Sequence, residues 1–370
     1  MKRRILSMIL ATAMVATVLV GCGAKEEAAA PAEEAAVEEA APAEEAAPAE
    51  EAAPAEEAAE EAPAADASGD VITVGFAQVG HESDWRTANT QDYQSVFSEA
   101  NGYELMFVDC DNDHATQIEA VRASIQQEVD YIVLAPIQAA GWETVVQEAK
   151  DAGIPVIVAD REIEVDASMY DAFVGTNTYD EGVTAGNWLA EYLNGEAANI
   201  LVIEGSVGAS ATIGRTDGFK EVAAAHPEWT ILDSQSGDFT QAGGQEVMES
   251  FIKTYPEFDV VICQNDNEAY GAMDAMTAAG ITYGVDGDVI IISYDATHDG
   301  LQYTLDGKIH CNVECNPIQA SVVEGVIKKM EAGEAYDAKT IVPDEAFVAP
   351  GITSQYATTM TQEVLDGRKY

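Results

Sequence analysis

The sequence predicts an α/β protein built from two doubly wound parallel-sheet domains. Three observations predict it. Ten short apolar runs, rich in β-branched residues and lacking polar alternation, recur between Val71 and Val313. Runs of that kind are expected for strands buried on both faces. Amphipathic helical patterns separate them, and strand–helix alternation gives parallel sheets covered on both sides. Finally, the 370 residues suit about two domains at roughly 150 residues each.

The chain begins with an address. Lys2, Arg3 and Arg4 precede an apolar stretch from Ile5 to Val20 that ends in Leu19-Val20-Gly21-Cys22. This stretch is shorter than the roughly 20 residues of a spanning helix and reads as an export signal. The ending resembles a bacterial lipobox. It implies that residues 1–21 are removed and that Cys22 is lipidated, which anchors the protein to the outer face of the cell membrane without a spanning helix.

Residues 24–66 are almost entirely Ala, Glu and Pro, with Pro-Ala-Glu-Glu-Ala-Ala units starting at Pro42, Pro48 and Pro54. Nothing larger than Val37 is available there to offset the cost of ordering a backbone. Proline every six residues limits each helical piece to under two turns. Residues 22–69 are therefore expected to form a charged, disordered tether.

The formal charge of −49 divides into a basic leader of +3, a tether of −14 and a remainder of −38. A remainder that acidic excludes nucleic acid and anionic lipid surfaces as partners, since both need a basic footprint.

The strand candidates are Val71–Gln78, Tyr103–Val108, Tyr131–Ala135, Val156–Ala159, Ala172–Val174, Asn199–Ile203, Thr230–Asp233, Val260–Cys263, Val289–Ser293 and Ile309–Val313. Helical spacing joins Ile118, Val121 and Ile125. A second helix starts near Arg215 and continues through Val222–Ala225. Val322, Val326 and Met330 mark a late one. Gly102, Gly153 and Gly280 fit helix C-termini, where a left-handed residue is needed.

Open α/β sheets bind ligands beyond the carboxyl ends of their strands. Three of the five arginines after the tether (Arg86, Arg161 and Arg215) lie in these strand-end loops or just beyond them, beside Asp160, Asn265 and Asp295. Trp85 and Phe239 are available to stack. Arginine forks and carboxylates pair with adjacent hydroxyls, and an aromatic face covers the C–H side of a ring; together this is sugar-binding chemistry. The competing reading, in which Asp and Asn cap helices and Arg pairs with the excess acid, holds for any one residue alone.

These segments resemble the ribose-binding-like sugar-binding proteins that feed ABC importers, and within that group the galactofuranose-binding proteins. The resemblance is carried by Val74–Gly80 with Glu82–Arg86, Ala135-Pro136 with Gly141-Trp142-Glu143, and Ala159-Asp160-Arg161. In the second half it lies in Gly205–Ser210, Ser236–Thr240, Glu246–Lys253 and Asn265-Asp266. It implies a type I periplasmic binding protein fold, with two lobes joined by a three-crossover hinge. The crossovers are expected near Asn177, Glu314 and 341–347. The lobes are expected at 71–177 with 315–342 and at 178–314 with 343–370. Carried over by motif position, the ligand contacts are Glu82, Asp84, Trp85, Arg86, Asp160 and Arg161 from the first lobe. Arg215, Phe239, Asn265 and Asp295 come from the second, with Glu314 at a crossover. Asp84 replaces the small residue expected between Ser83 and Trp85. It either reaches a further hydroxyl or caps the helix that Trp85 begins.

The resemblance implies a monomeric binding protein, not an enzyme, with no cofactor. Its partners are a monosaccharide, an ABC permease and that permease's ATPase, and it meets the membrane through the lipid anchor only. An alternative keeps the fold but presents a sugar or quorum signal to a membrane receptor.

Other chemistry finds less support. Cys311 and Cys315 are about 13 Å apart along a strand, beyond the ~7 Å reach of a disulfide, and are expected as buried thiols. Asp109, Asp111 and Asp113 alternate as in a calcium loop, but the glycine and distal Glu are missing, which leaves turn and cap roles.

Overall fold

The computed structural model describes residues 71–370. The expected leader, Cys22 and the tether lie outside the described residues. In chain order the first lobe opens with β1 (Ile72–Gln78), α1 (Asp84–Val96), β2 (Tyr103–Asp109), α2 (His114–Gln126) and β3 (Tyr131–Leu134). It continues with α3 (Glu143–Ala152), β4 (Val156–Asp160) and β5 (Ala172–Gly175). The second lobe follows with α4 (Thr178–Leu193), β6 (Ala198–Glu204), α5 (Ser210–Ala223), β7 (Trp229–Ser236) and α6 (Gln241–Thr254). Next come β8 (Val260–Cys263), α7 (Asp266–Ala279), β9 (Ile290–Asp295), α8 (His298–Leu305) and β10 (Cys311–Glu314). The chain then returns through α9 (Ala320–Glu331) and β11 (Lys339–Ile341), and crosses again to β12 (Ala346–Val348), β13 (Thr358–Thr359) and α10 (Gln362–Asp366).

Two sheets result, ordered β2-β1-β3-β4-β5-β11 and β7-β6-β8-β9-β10-β12-β13. Each begins with the same doubly wound order, in which the first strand sits between the second and third. Every pairing is parallel except that of β10 with β12. The chain passes between the sheets three times: after Gly175, after Glu314 and after Ile341.

All ten strand candidates form, within one to three residues of their expected ends. β3, β4, β5 and β8 are buried at every position, as continuous apolar runs require. Each fully buried Val or Ile contributes about 1.5–3 kcal/mol, so these central strands anchor both lobes. In the second lobe two separate clusters cover the two sheet faces. One centres on Trp188, Leu189 and Phe219 of α4 and α5, the other on Met248, Phe251 and Met276 of α6 and α7.

Some details differ from expectation. α5 starts at Ser210, well before Arg215, so Arg215 lies in the second turn. The short strands β11, β12 and β13, of which β11 and β13 form sheet edges, were not anticipated. The remaining small assignments hold. Asp113 caps α2 through Thr116 N at 2.6 Å, and Asp109 Oδ1 accepts Asp111 N at 3.0 Å. Cys110, Cys263, Cys311 and Cys315 are free and buried.

Candidate functional site

The carboxyl ends of the two sheets face each other. Ser83 caps α1, its hydroxyl accepting from Arg86 N at 3.2 Å, so Trp85 and Arg86 fall in the first turn and are buried. Arg86 Nε lies 3.0 Å from Glu82 Oε1, Nη1 donates to Gln78 Oε1 at 3.2 Å, and Nη2 lies 2.8 Å from Asp160 Oδ2. Burial disfavours the Arg86 charge, but Asp160 and Glu82 more than offset it and hold the group above the ordinary arginine pKa. For Glu82, burial pulls upward, yet Arg86 and Arg161 keep its pKa below the ordinary carboxylate range.

Asp160 ends β4 with φ 65°, a left-handed conformation uncommon outside glycine. Its Oδ2 sits close to Arg86 but outside hydrogen-bonding alignment, so this buried oxygen has no hydrogen-bond partner, and neither does Glu82 Oε2. Arg161 follows. Its nearest carboxylate oxygens are Glu82 Oε1 at 3.6 Å and Asp160 Oδ2 at 3.8 Å, and its one acceptor is Ile137 O at 3.4 Å. Burial, and then repulsion from Arg86, lower its pKa.

The second lobe supplies the opposite wall. Arg215 is held by Glu181 Oε2 at 2.7 Å, by Asp295 Oδ1 at 3.1 Å and by the carbonyl of Gln264. Burial opposes its charge, but Glu181 and Asp295 raise its pKa well above the ordinary value. Burial pushes the Asp295 carboxyl up to about 7, with Arg215 pulling the other way. Phe239 sits at φ 60° in the loop after β7, its ring 5.0 Å from the Arg161 guanidinium across the cleft. Backbone strain in a bulky residue marks a position held by its surroundings. The holders are Glu268 Oε1, which accepts Phe239 N at 2.9 Å, and Asn265 Nδ2, which donates to Phe239 O at 2.9 Å. Gly205 lies beneath the ring, where a Cβ would stand 2.0 Å from Phe239 Cζ.

Together these groups line a narrow cavity of about 20 Å³ between the lobes. That is room for about one water molecule, so a larger ligand is admitted only when the lobes part. Eight of the eleven expected ligand residues line it: Trp85, Arg86, Asp160, Arg161, Arg215, Phe239, Asn265 and Asp295. Three do not. Glu82 stands behind Arg86 and Arg161 and braces them. Asp84 is exposed and pairs with Asn267 instead. Glu314 has both oxygens occupied: Oε2 accepts Glu345 N at 2.8 Å, while Oε1 takes Arg368 and Tyr370.

Ser83, Ala211 and Cys315 complete the lining and were missed. Ser83 was readable as a helix cap and Cys315 as a crossover neighbour, whereas Ala211 carries no chemical signal. A larger groove of about 270 Å³ lies beside the cavity, past Glu162, Tyr179, Ile213 and Lys339. It shares Asp160 but lacks the convergence of buried charges, so the smaller cavity is the better site.

Three arginines face Glu82, Asp160, Glu181 and Asp295 in and behind this cavity. The charges nearly balance, and a ligand need bring none of its own.

Comparison with known proteins agrees with this architecture. The family described as periplasmic binding protein domain matches residues 74–323. Galactofuranose-binding protein YtfQ of Escherichia coli (strain K12) is 40% identical over 262 residues, which span 70% of this chain and 81% of that protein. A Mycobacterium smegmatis protein crystallised with β-D-fucofuranose is 45% identical with a TM-score of 0.72, over 75% of this chain and 91% of that one. The binding component of the arabinose ABC transporter from Shewanella sp. ANA-3, bound to α- and β-L-arabinofuranose, is 36% identical with a TM-score of 0.72, over 75% of this chain and 92% of that one. Two parallel-sheet lobes, three crossovers, a cavity between the lobes and a family match over most of the described residues lead to one conclusion: the chain belongs to the periplasmic binding protein family, whose matched members are solute-binding proteins and not enzymes.

Proposed function

We propose that the protein captures a neutral monosaccharide in its furanose form, galactofuranose or a close relative, and delivers it to an ABC permease and its ATPase. In this reading Cys22 carries the lipid anchor, the tether spaces a monomeric binding unit from the outer face of the membrane, and the lobes 71–177 with 315–342 and 178–314 with 343–370 move about the three crossovers. Sugar touches both lobes only when they are closed, so binding shifts the population toward closure by its differential affinity.

The observation that carries this reading is the near-balanced set of buried arginines and carboxylates that converge on the cavity between the lobes. One carboxylate oxygen on the cavity wall, Asp160 Oδ2, faces Arg86 without an aligned hydrogen bond, and Trp85 and Phe239 are placed to cover a ring. Buried polar atoms without partners are costly, and hydroxyls would satisfy them. The furanose preference is supported by the ligands named for the two similar crystallised proteins.

A thermal-shift panel of galactofuranose, arabinose, fucose, ribose, amino acids and sugar phosphates tests it. A ligand at a hundred times its Kd adds about 2.7 kcal/mol, a rise on the order of 5 °C for a protein this size. That rise is expected with the furanose-forming sugars. A shift produced only by an anionic or amino-acid ligand contradicts the proposal.

A further inference from the structure

Asp84 is the first residue of α1 in the first lobe, and Asn267 is the second residue of α7 in the second. Neither lines the cavity. They meet across the cleft as a reciprocal pair. The Asp84 main-chain N–H donates to Asn267 Oδ1 at 3.0 Å, and Asn267 Nδ2 donates to Asp84 Oδ2 at 3.2 Å. The pair therefore brings together the N-termini of two helices, each carrying roughly half a positive charge. Closure sets like partial charges together, and the Asp84 carboxylate stands where it offsets them. At the opposite rim, Ala139 N donates to Gly208 O at 2.8 Å and Glu162 N donates to Ser210 Oγ at 2.8 Å. The closed lobes are thus joined directly at both rims, but only the Asp84–Asn267 contact adds a carboxylate.

We propose that Asp84 and Asn267 form a latch that determines affinity without touching the ligand. The proposal rests on the lobe-closure reading above. A contact present only in the closed form shifts the open–closed equilibrium whatever occupies the cavity. The latch makes the closed, ligand-filled form harder to reopen, so it multiplies the affinity that the cavity supplies. Ligand enters the open form, in which the pair is apart. The latch therefore acts on dissociation and leaves association unchanged.

The test uses the full chain with one dye on each lobe, attached at introduced surface cysteines, since the four described native cysteines are buried. Interlobe energy transfer without ligand, and stopped-flow rates with the tightest sugar of the panel, are compared for wild type, Asp84→Ala, Asn267→Ala and the double variant. Each single change is expected to lower the ligand-free closed fraction and to raise the dissociation rate three- to tenfold, with association unaltered. The double variant is expected to be no worse than the more severe single one, because the two residues act on each other. Asn267→Ala alters a partly exposed helix position, so it keeps the test readable if Asp84→Ala folds poorly. Unchanged energy transfer and dissociation in Asn267→Ala overturn the latch, as do strictly additive effects in the double variant. If the wild type binds no sugar, the sugar reading fails by itself, and the ligand-free closed fraction still decides the latch.

Discussion

Replacing Arg161 with alanine separates binding from folding. Arg161 is buried yet poorly partnered: its nearest carboxylate oxygens are 3.6 and 3.8 Å away, and its one acceptor lies at 3.4 Å. A guanidinium carries five N–H donors, so most of those on Arg161 remain for a ligand. Hydrogen bonds to charged groups contribute about 1.5–3 kcal/mol each. Two of them to sugar hydroxyls give about 3–6 kcal/mol, a loss of roughly 10²- to 10⁴-fold in affinity at 1.4 kcal/mol per decade. Folding should barely respond. Arg86 still holds Glu82 and Asp160 at 3.0 and 2.8 Å, and the repulsion between Arg161 and Arg86 disappears. A change within about 1 kcal/mol moves the ligand-free Tm by only about 2–4 °C. Titration calorimetry and scanning calorimetry on the same sample read both quantities. Affinity within threefold of wild type, or a Tm drop above 10 °C, refutes the reasoning.

Arg215→Ala should behave differently: it strands the buried Glu181 carboxylate, now 2.7 Å from Arg215, and costs about 3–5 kcal/mol of stability as well as binding. A melting profile matching that of Arg161→Ala contradicts the assigned ion pairs. Gly205→Ala forces the Phe239 ring from its seat and should weaken binding tenfold or more with the arginines intact; unchanged affinity by calorimetry argues against a role for that ring. Burial places the Asp295 carboxyl at about 7, above its unfolded value of about 3.9. The native state therefore holds a proton that the unfolded state has lost between those values, and stability falls as pH rises through this window. Asp295→Asn should flatten the decline of Tm between pH 4 and 7 relative to wild type; parallel profiles contradict the raised value.

Much of the architecture was legible because parallel strands buried on both faces are written as uninterrupted apolar runs rich in β-branched residues, such as Val260–Cys263 and Val156–Ala159. The edge strands were not, because Lys339–Ile341 is largely exposed and Thr358–Thr359 spans two residues, so neither carries a hydrophobic run. The start of α5 was hidden because Ala209 occupies its N-cap with no side-chain hydrogen bond. Cavity residues were legible where a strand end fixes direction, as at Asp160 and Asp295. Direction failed where one residue of helix rotation decides it. Successive helix positions differ by about 100°, so Asp84 faces solvent and Asn267 while Trp85 and Arg86 face the cavity. Glu314 stays off the cavity for another reason: its partners Arg368 and Tyr370 arrive from more than fifty positions later in the chain, with no local signal for the meeting.

The central claim is that the buried arginines and carboxylates recognise a neutral furanose between the lobes. The most direct measurement is titration calorimetry of the wild-type protein with galactose locked in its furanose form and, in parallel, locked in its pyranose form. The account predicts saturable one-to-one binding of the furanose, at least tenfold tighter than the pyranose and abolished in Arg161→Ala. Equal affinity for both rings, or binding that survives the loss of Arg161, contradicts it.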